Sequence, residues 1–180
     1  MTVVGTTRNN GNEEYTLLEP IPENIPGLLR VHRQWVCWRE EERTNKRGER
    51  KLTKVPYTPE TGTPASTTNH LTWSSFERAW EALQANGSRY AGIGFVFSKD
   101  DPYTGVDLDK CRNPETDEVA PWALEWIKRF DSYTEVSPTG TGIHIIITGE
   151  TPHNGKTAID GRTVEIYSVA RYFTITGVRP

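Results

Sequence analysis

The sequence predicts an α+β fold, on three observations. Short apolar runs crowd the second half, at 93–97, 105–108, 142–148, 164–167 and 172–176, each of strand length and bounded by turn residues. Two other segments carry helical spacing: Phe76, Ala79, Trp80 and Leu83 fall at i, i+3, i+4 and i+7, and Trp122, Trp126, Ile127 and Phe130 share one face. Strands and helices are mixed without strict alternation, which argues against a doubly wound sheet.

In chain order, residues 1–20 hold Gly5, Asn9, Asn10, Gly11, Asn12, Glu13 and Glu14 with little apolar periodicity, so a flexible arm without chemistry is expected. Pro26 suits the first turn of a short helix ending near Val31, and Trp35-Val36-Cys37-Trp38 reads as a buried strand. Next comes a basic stretch with Arg43, Lys46, Arg47, Arg50, Lys51 and Lys54, forming a loop or hairpin that returns at 54–57. It is either a solvated hairpin tip or a local patch for nucleic acid. Thr72 is a plausible N-cap for the helix that Gly87 closes, and Pro121 opens the second helix. The turn at 100–105 predicts a hairpin between strands 93–97 and 105–109.

A chain of 180 residues, 34% hydrophobic and 25% charged, suffices for one well-cored domain or two small modules sharing a cleft. No run resembles a membrane span or signal peptide, so a soluble, intracellular protein is expected. Cys37 and Cys111 stand alone, which points to neither a zinc site nor a disulfide framework. A net charge of −3 argues against coating nucleic acid through global charge.

Three polar groups interrupt the apolar strands. In Val106-Asp107-Leu108-Asp109 the alternation of a strand puts both carboxylates on one face, with backbones roughly 6.5 to 7 Å apart, and a divalent cation would relieve their repulsion. Magnesium and manganese prefer such oxygen donors, although calcium loops, caps and ordinary surface strands supply the same triplet. The segment Ser137-Pro138-Thr139-Gly140-Thr141-Gly142-Ile143-His144 offers a tight turn whose N–H groups suit a phosphate, followed by a histidine. With Ile143, Ile145 and Ile147 in the core, His144 faces the other way, provided Ile146 is covered there. The plain alternative is a glycine hairpin leading into a buried strand with one satisfied histidine. Glu165, within Val164-Glu165-Ile166-Tyr167, is costly on an apolar strand unless paired.

The order DLD, SPTGTGIHI, VEIYSVARYFTITG, with QWVCW, KVPYTPETG, LTWSSFERAW and GIGFVFSKDDPYTGVDLD upstream, resembles the archaeo-eukaryotic primase superfamily. More narrowly it is similar to the primase-polymerase (prim-pol) domain of phage and plasmid replication proteins. The resemblance spans residues 22–177. It implies an RRM-like antiparallel-sheet catalytic core at 91–180, with a small N-terminal α/β module at 21–90 forming a cleft. Asp107, Asp109 and Glu165 then bind two magnesium or manganese ions, with His144 the fourth catalytic residue. Ser137, Gly140, Thr141, Gly142 and His144 hold the triphosphate, and Arg171 and Tyr172 lie in a matching segment. The implied reaction is attack by a 3′-hydroxyl on the α-phosphate of a nucleoside triphosphate. Single-stranded DNA template and primer would run beside Lys46, Arg47, Arg50, Lys51, Lys54 and Arg171, in the cytoplasm of a host if the chain is phage-encoded. Relatives usually continue into a helical accessory domain and a helicase, so an excised, weakly active core is expected. A metal-dependent nuclease, or a nucleotide- or single-strand-binding module without turnover, remains open on the same residues.

Overall fold

A computed structural model describes residues 5–9, 14–44, 48–85, 89–159 and 161–180. Its strands are β1 (Gly5–Asn9), β2 (Glu14–Leu18), β3 (Trp35–Thr44), β4 (Arg50–Tyr57), β5 (Gly92–Phe97), β6 (Tyr103–Leu108), β7 (Tyr133–Val136), β8 (Ile143–Thr148), β9 (Gly155–Ile159), β10 (Arg162–Tyr167) and β11 (Arg171–Ile175). The helices are α1 (Gly27–Arg30), α2 (Phe76–Ala85) and α3 (Pro121–Phe130). Every sheet is antiparallel, as an α+β architecture with few helices requires: a hairpin of β1 and β2, a four-stranded sheet β11-β5-β3-β4 and a five-stranded sheet β7-β8-β6-β10-β9. No helix among the described residues is long and apolar enough to cross a membrane.

The five-stranded sheet shows why alternation matters here. Val106, Leu108, Val136, Ile143, Ile145 and Val164 share one face and one core cluster, against which Trp122, Trp126, Ile127 and Phe130 of α3 pack. The opposite face carries Tyr103, Gly105 and Asp107 on β6, His144 and Ile146 on β8, and Glu165 and Tyr167 on β10. Ile146 is covered as the sequence required, joining Tyr103, Phe97, Phe173 and the aromatic residues of the four-stranded sheet in the larger cluster. Gly105 permits that meeting of sheets, because a Cβ there would lie 2.5 Å from the Phe173 ring and 2.6 Å from Phe97.

Several expectations are corrected. The chain turns at 98–102, ahead of most of the predicted 100–105, whose last residues are in β6, and β5 and β6 do not pair; the chain passes from one sheet to the other. Buried Asp101 builds that corner, accepting from the N–H of Ser98 (2.8 Å), the N–H of Tyr103 (2.7 Å) and the Gln34 side chain (2.6 Å). Strands β5 and β11 complete the sheet that β3 and β4 begin. Thr72 ends a 3-10 turn instead of capping α2; Ser75 accepts from the N–H of Arg78 there. Gly87 lies outside the described residues. Within the expected flexible arm the described residues 5–9 and 14–18 form the β1–β2 hairpin, docked through buried Leu17, a Tyr15 hydroxyl bond to Glu40 (2.7 Å) and the Leu18 N–H on the Pro138 carbonyl (2.8 Å). Strands β7 and β9 are absent from the predicted set.

Candidate functional site

Register brings the polar residues together. Asp107 on β6 stands opposite His144 on β8 and opposite Glu165 on β10; Glu135 on β7 stands opposite His144, and Lys156 on β9 opposite Glu165. Directly opposite residues of a sheet project on the same side, so Glu135, His144, Asp107, Glu165 and Lys156 form one row across five strands. Asp109 lies one residue past the end of β6 and is exposed, so the strand face holds only the first carboxylate of the pair. The chain turns away immediately, with Lys110 at φ 51°.

Burial pushes the Asp107 carboxyl above the ordinary carboxylate range; the negative charges of Asp109 and Glu165 add to this, and His144 and Lys54 oppose it. Burial works against charge on the His144 ring, yet its bond to Glu135 and the charges of Asp107 and Glu135 prevail, so its pKa is raised. The ring lies 5.0 Å from Phe173, tilted by 34°, with Nδ1 3.1 Å from Glu135 Oε1 and Nε2 3.8 Å from Asp107 Oδ1. Glu165 is buried and turned to cations: Lys156 on Oε1, and Arg171 (3.1 Å) with the Tyr167 hydroxyl (3.0 Å) on Oε2. Among the described residues no three His, Cys, Asp or Glu side chains stand close enough together to hold a metal ion. The donors suit a hard cation in kind, with the Asp107 charge opposed first by burial and then by its acidic neighbours, whereas Glu165 faces Lys156 and Arg171.

The segment 137–142 makes the predicted tight turn between β7 and β8, with Gly140 at φ +75°. Its glycine N–H groups are engaged within the turn: Gly140 donates to the Ser137 carbonyl (2.8 Å) and Gly142 to Ser137 Oγ (3.0 Å). Thr141 faces Thr139, hydroxyl to hydroxyl at 3.0 Å. Arg112, which sequence reasoning missed, braces the loop by donating to the Gly140 carbonyl (2.8 Å) while pairing with Asp117.

The basic stretch divides. Lys46 and Arg47 lie outside the described residues. Arg50 pairs with Glu42 (3.3 Å), Arg43 pairs with Glu41 (3.3 Å), and Lys51 is exposed opposite Arg43, so the hairpin's charge is partly cancelled by Glu41 and Glu42. Lys54 behaves differently. It is partly buried with its ammonium 5.6 Å from the Trp38 ring, and burial lowers its pKa against the pull of Asp107, Glu40 and Asp109. Among the described residues it makes no ion pair within 4.0 Å, so it lends its charge to Asp107 at the middle of the row. Tyr172 reaches this region by donating its hydroxyl to the Lys54 carbonyl (2.7 Å).

Glu135, Lys156 and Tyr167 were not among the predicted site residues. The alternation of Tyr133 and Glu135 with Thr134 and Val136 is the signal that marks Glu135 as sharing the face of His144. No protein-family model matches the chain. It is similar to a protein named DNA primase-polymerase from Nitratiruptor phage NrS-1, with 37% identity over 158 residues, which is 85% of this chain and 20% of the relative. The chain therefore spans about a fifth of the length of the curated relative it matches, and the resemblance read from its motifs is supported as far as a primase-polymerase of phage origin.

Proposed function

We propose that this chain is a catalytic unit of template-directed nucleotidyl transfer, the primase and DNA polymerase chemistry for which the phage relative is named. The observation that carries the reading is the in-register row, which aligns Asp107, His144 and Glu165 from three adjacent strands on one sheet face. In this reading the five-stranded sheet is the RRM-like core, and the β3–β4 side, from which Lys54 approaches, closes a cleft over it.

Asp107, Asp109 and Glu165 would hold magnesium or manganese, Glu165 exchanging Lys156 and Arg171 for the ion. When bound, such ions lower the pKa of an attacking 3′-hydroxyl and neutralise phosphate charge. His144 Nε2 and the Lys54 ammonium supply positive charge where the triphosphate sits, and the 137–142 turn shapes its seat, with Arg171 freed to reach phosphate. The 3′-hydroxyl then bonds the α-phosphorus as the bond to pyrophosphate breaks, with no protein nucleophile. Single-stranded template and primer run beside Arg50 and Lys51, where Glu41 and Glu42 keep the contact weak. Accessory and helicase domains, in the host cytoplasm where replication proceeds, would supply template handling.

Titration of the chain with manganese and dATP tests this. Metal-dependent nucleotide binding is expected, and Asp107→Ala and Asp109→Ala each abolish it. Unchanged affinity in both variants ends the reading, and metal-dependent shortening of DNA without triphosphate replaces it with a nuclease.

A further inference from the structure

We infer that Glu135 is a positioning residue for this site: it fixes the His144 ring with Nδ1 as a hydrogen donor and so presents Nε2 towards Asp107. The consequence for nucleotide binding rests on the proposed function; the hydrogen-bond assignment does not.

Glu135 is fully buried, and both of its oxygens are engaged. Oε2 accepts three hydrogen bonds, from the Tyr133 hydroxyl (2.6 Å), the Thr176 N–H (3.0 Å) and the Gly177 N–H (2.8 Å). Oε1 is left for His144 Nδ1, 3.1 Å away. An ionised carboxylate only accepts, so Nδ1 carries the hydrogen in this contact. The other ring nitrogen is thereby set: Nε2 faces Asp107 Oδ1 at 3.8 Å, beyond hydrogen-bond length. Phe173 against the ring limits its tilt.

The same carboxylate joins the two larger sheets. Thr176 and Gly177 follow β11 of the four-stranded sheet, whereas Tyr133 and Glu135 lie on β7 at the edge of the five-stranded one. That junction is pinned on either side by the Thr176 hydroxyl on the Val136 carbonyl (2.6 Å) and the Val136 N–H on the Val178 carbonyl (2.7 Å). Glu135 therefore holds the histidine of one sheet against backbone leaving the other.

Glu135→Gln separates positioning from mere burial. Three donors converge where Oε2 sits, so the amide oxygen must occupy that place and the NH2 must face His144. Nδ1 is then forced to accept, so the ring gives up its Nδ1 hydrogen and its positive charge and keeps only the hydrogen on Nε2. Nitrogen NMR of the imidazoles, in a chain with four histidines, reads this directly without ligand or turnover. The parent is expected to show His144 with Nδ1 protonated, and Glu135→Gln with Nδ1 bare and Nε2 protonated. Glu135→Asp keeps the charge but shortens the reach, and should leave the ring without its fixed orientation; it serves if the amide is not tolerated. With manganese and dATP as probe, Glu135→Gln should weaken binding on the order of tenfold in the parent and not at all in a His144→Ala background. A bare Nδ1 in the parent, or a Glu135→Gln loss that persists in full without His144, overturns the proposal. If Asp107→Ala leaves dATP binding unchanged, the nucleotidyl-transfer reading falls instead, and the NMR result alone decides the role of Glu135.

Discussion

Two buried glutamates occupy the same row, one beyond His144 and the other beside Asp107, and they are held in opposite ways. Glu135 is gripped by parts of the fold that cannot leave: two backbone N–H groups, the Tyr133 hydroxyl and the His144 ring. Glu165 is gripped by side chains reaching in from the surface, Lys156 at 61% exposure and Arg171 at 45%. A carboxylate bound by backbone is architecture, while one bound by long exposed cations can change partners at little cost. The row thus has a built flank and an exchangeable flank, with Asp107 between them.

The largest effect should come from breaking the built flank. Glu135→Ala leaves Thr176, Gly177, Tyr133 and His144 without an acceptor in a closed space. Removing one member of such a buried charged network costs about 3 kcal/mol or more. Urea unfolding measures it; a loss below about 1 kcal/mol, typical of exposed pairs, would erase the distinction between the flanks.

Asp107 should respond in the other direction. Burial, with Asp109 and Glu165 nearby, raises its pKa, so the folded protein prefers the neutral carboxyl. The stability it contributes is full below the ordinary value of 3.8 and is lost as pH rises through the raised one. Asp107→Asn should therefore match the parent in acid and exceed it at neutral pH by on the order of 1 kcal/mol. Thermal melts across that pH range decide the matter, and a neutral-pH variant less stable than the parent would show that Asp107 is already compensated.

The legible parts of this molecule were those with a period. Asp107, His144 and Glu165 interrupt apolar strands long enough for alternation to assign a face, and the pairing of strands then set them opposite one another. Glu135 escaped because β7 has only four residues and Thr134 blurs the apolar pattern. The turn signature at 100–105 announced a change of direction, but turn chemistry cannot say which sheet the next strand joins. Thr6, Thr7 and Arg8 pair in β1 through backbone bonds that polarity conceals. The basic stretch hid its partial cancellation, because Arg50 pairs with Glu42 across the hairpin, which only the register reveals, while Arg43 pairs with Glu41 two residues earlier on its own strand.

The exchangeable flank should show the smallest change in stability and the most telling change in binding. Lys156 projects from edge strand β9, and its pair with Glu165 is open to water on the lysine side. Lys156→Ala should alter unfolding free energy by roughly 0.5 kcal/mol or less. The same change removes a competitor for Glu165, so manganese affinity should rise about twofold, equivalent to roughly 0.5 kcal/mol. Parallel denaturation and metal titration separate the two quantities. Destabilisation on the scale of Glu135→Ala would make Lys156 part of the architecture, and weaker manganese binding would mean that the lysine assists the bound state instead of competing with it. Only a nearly unchanged fold together with tighter binding fits a glutamate whose cations stand ready to be replaced.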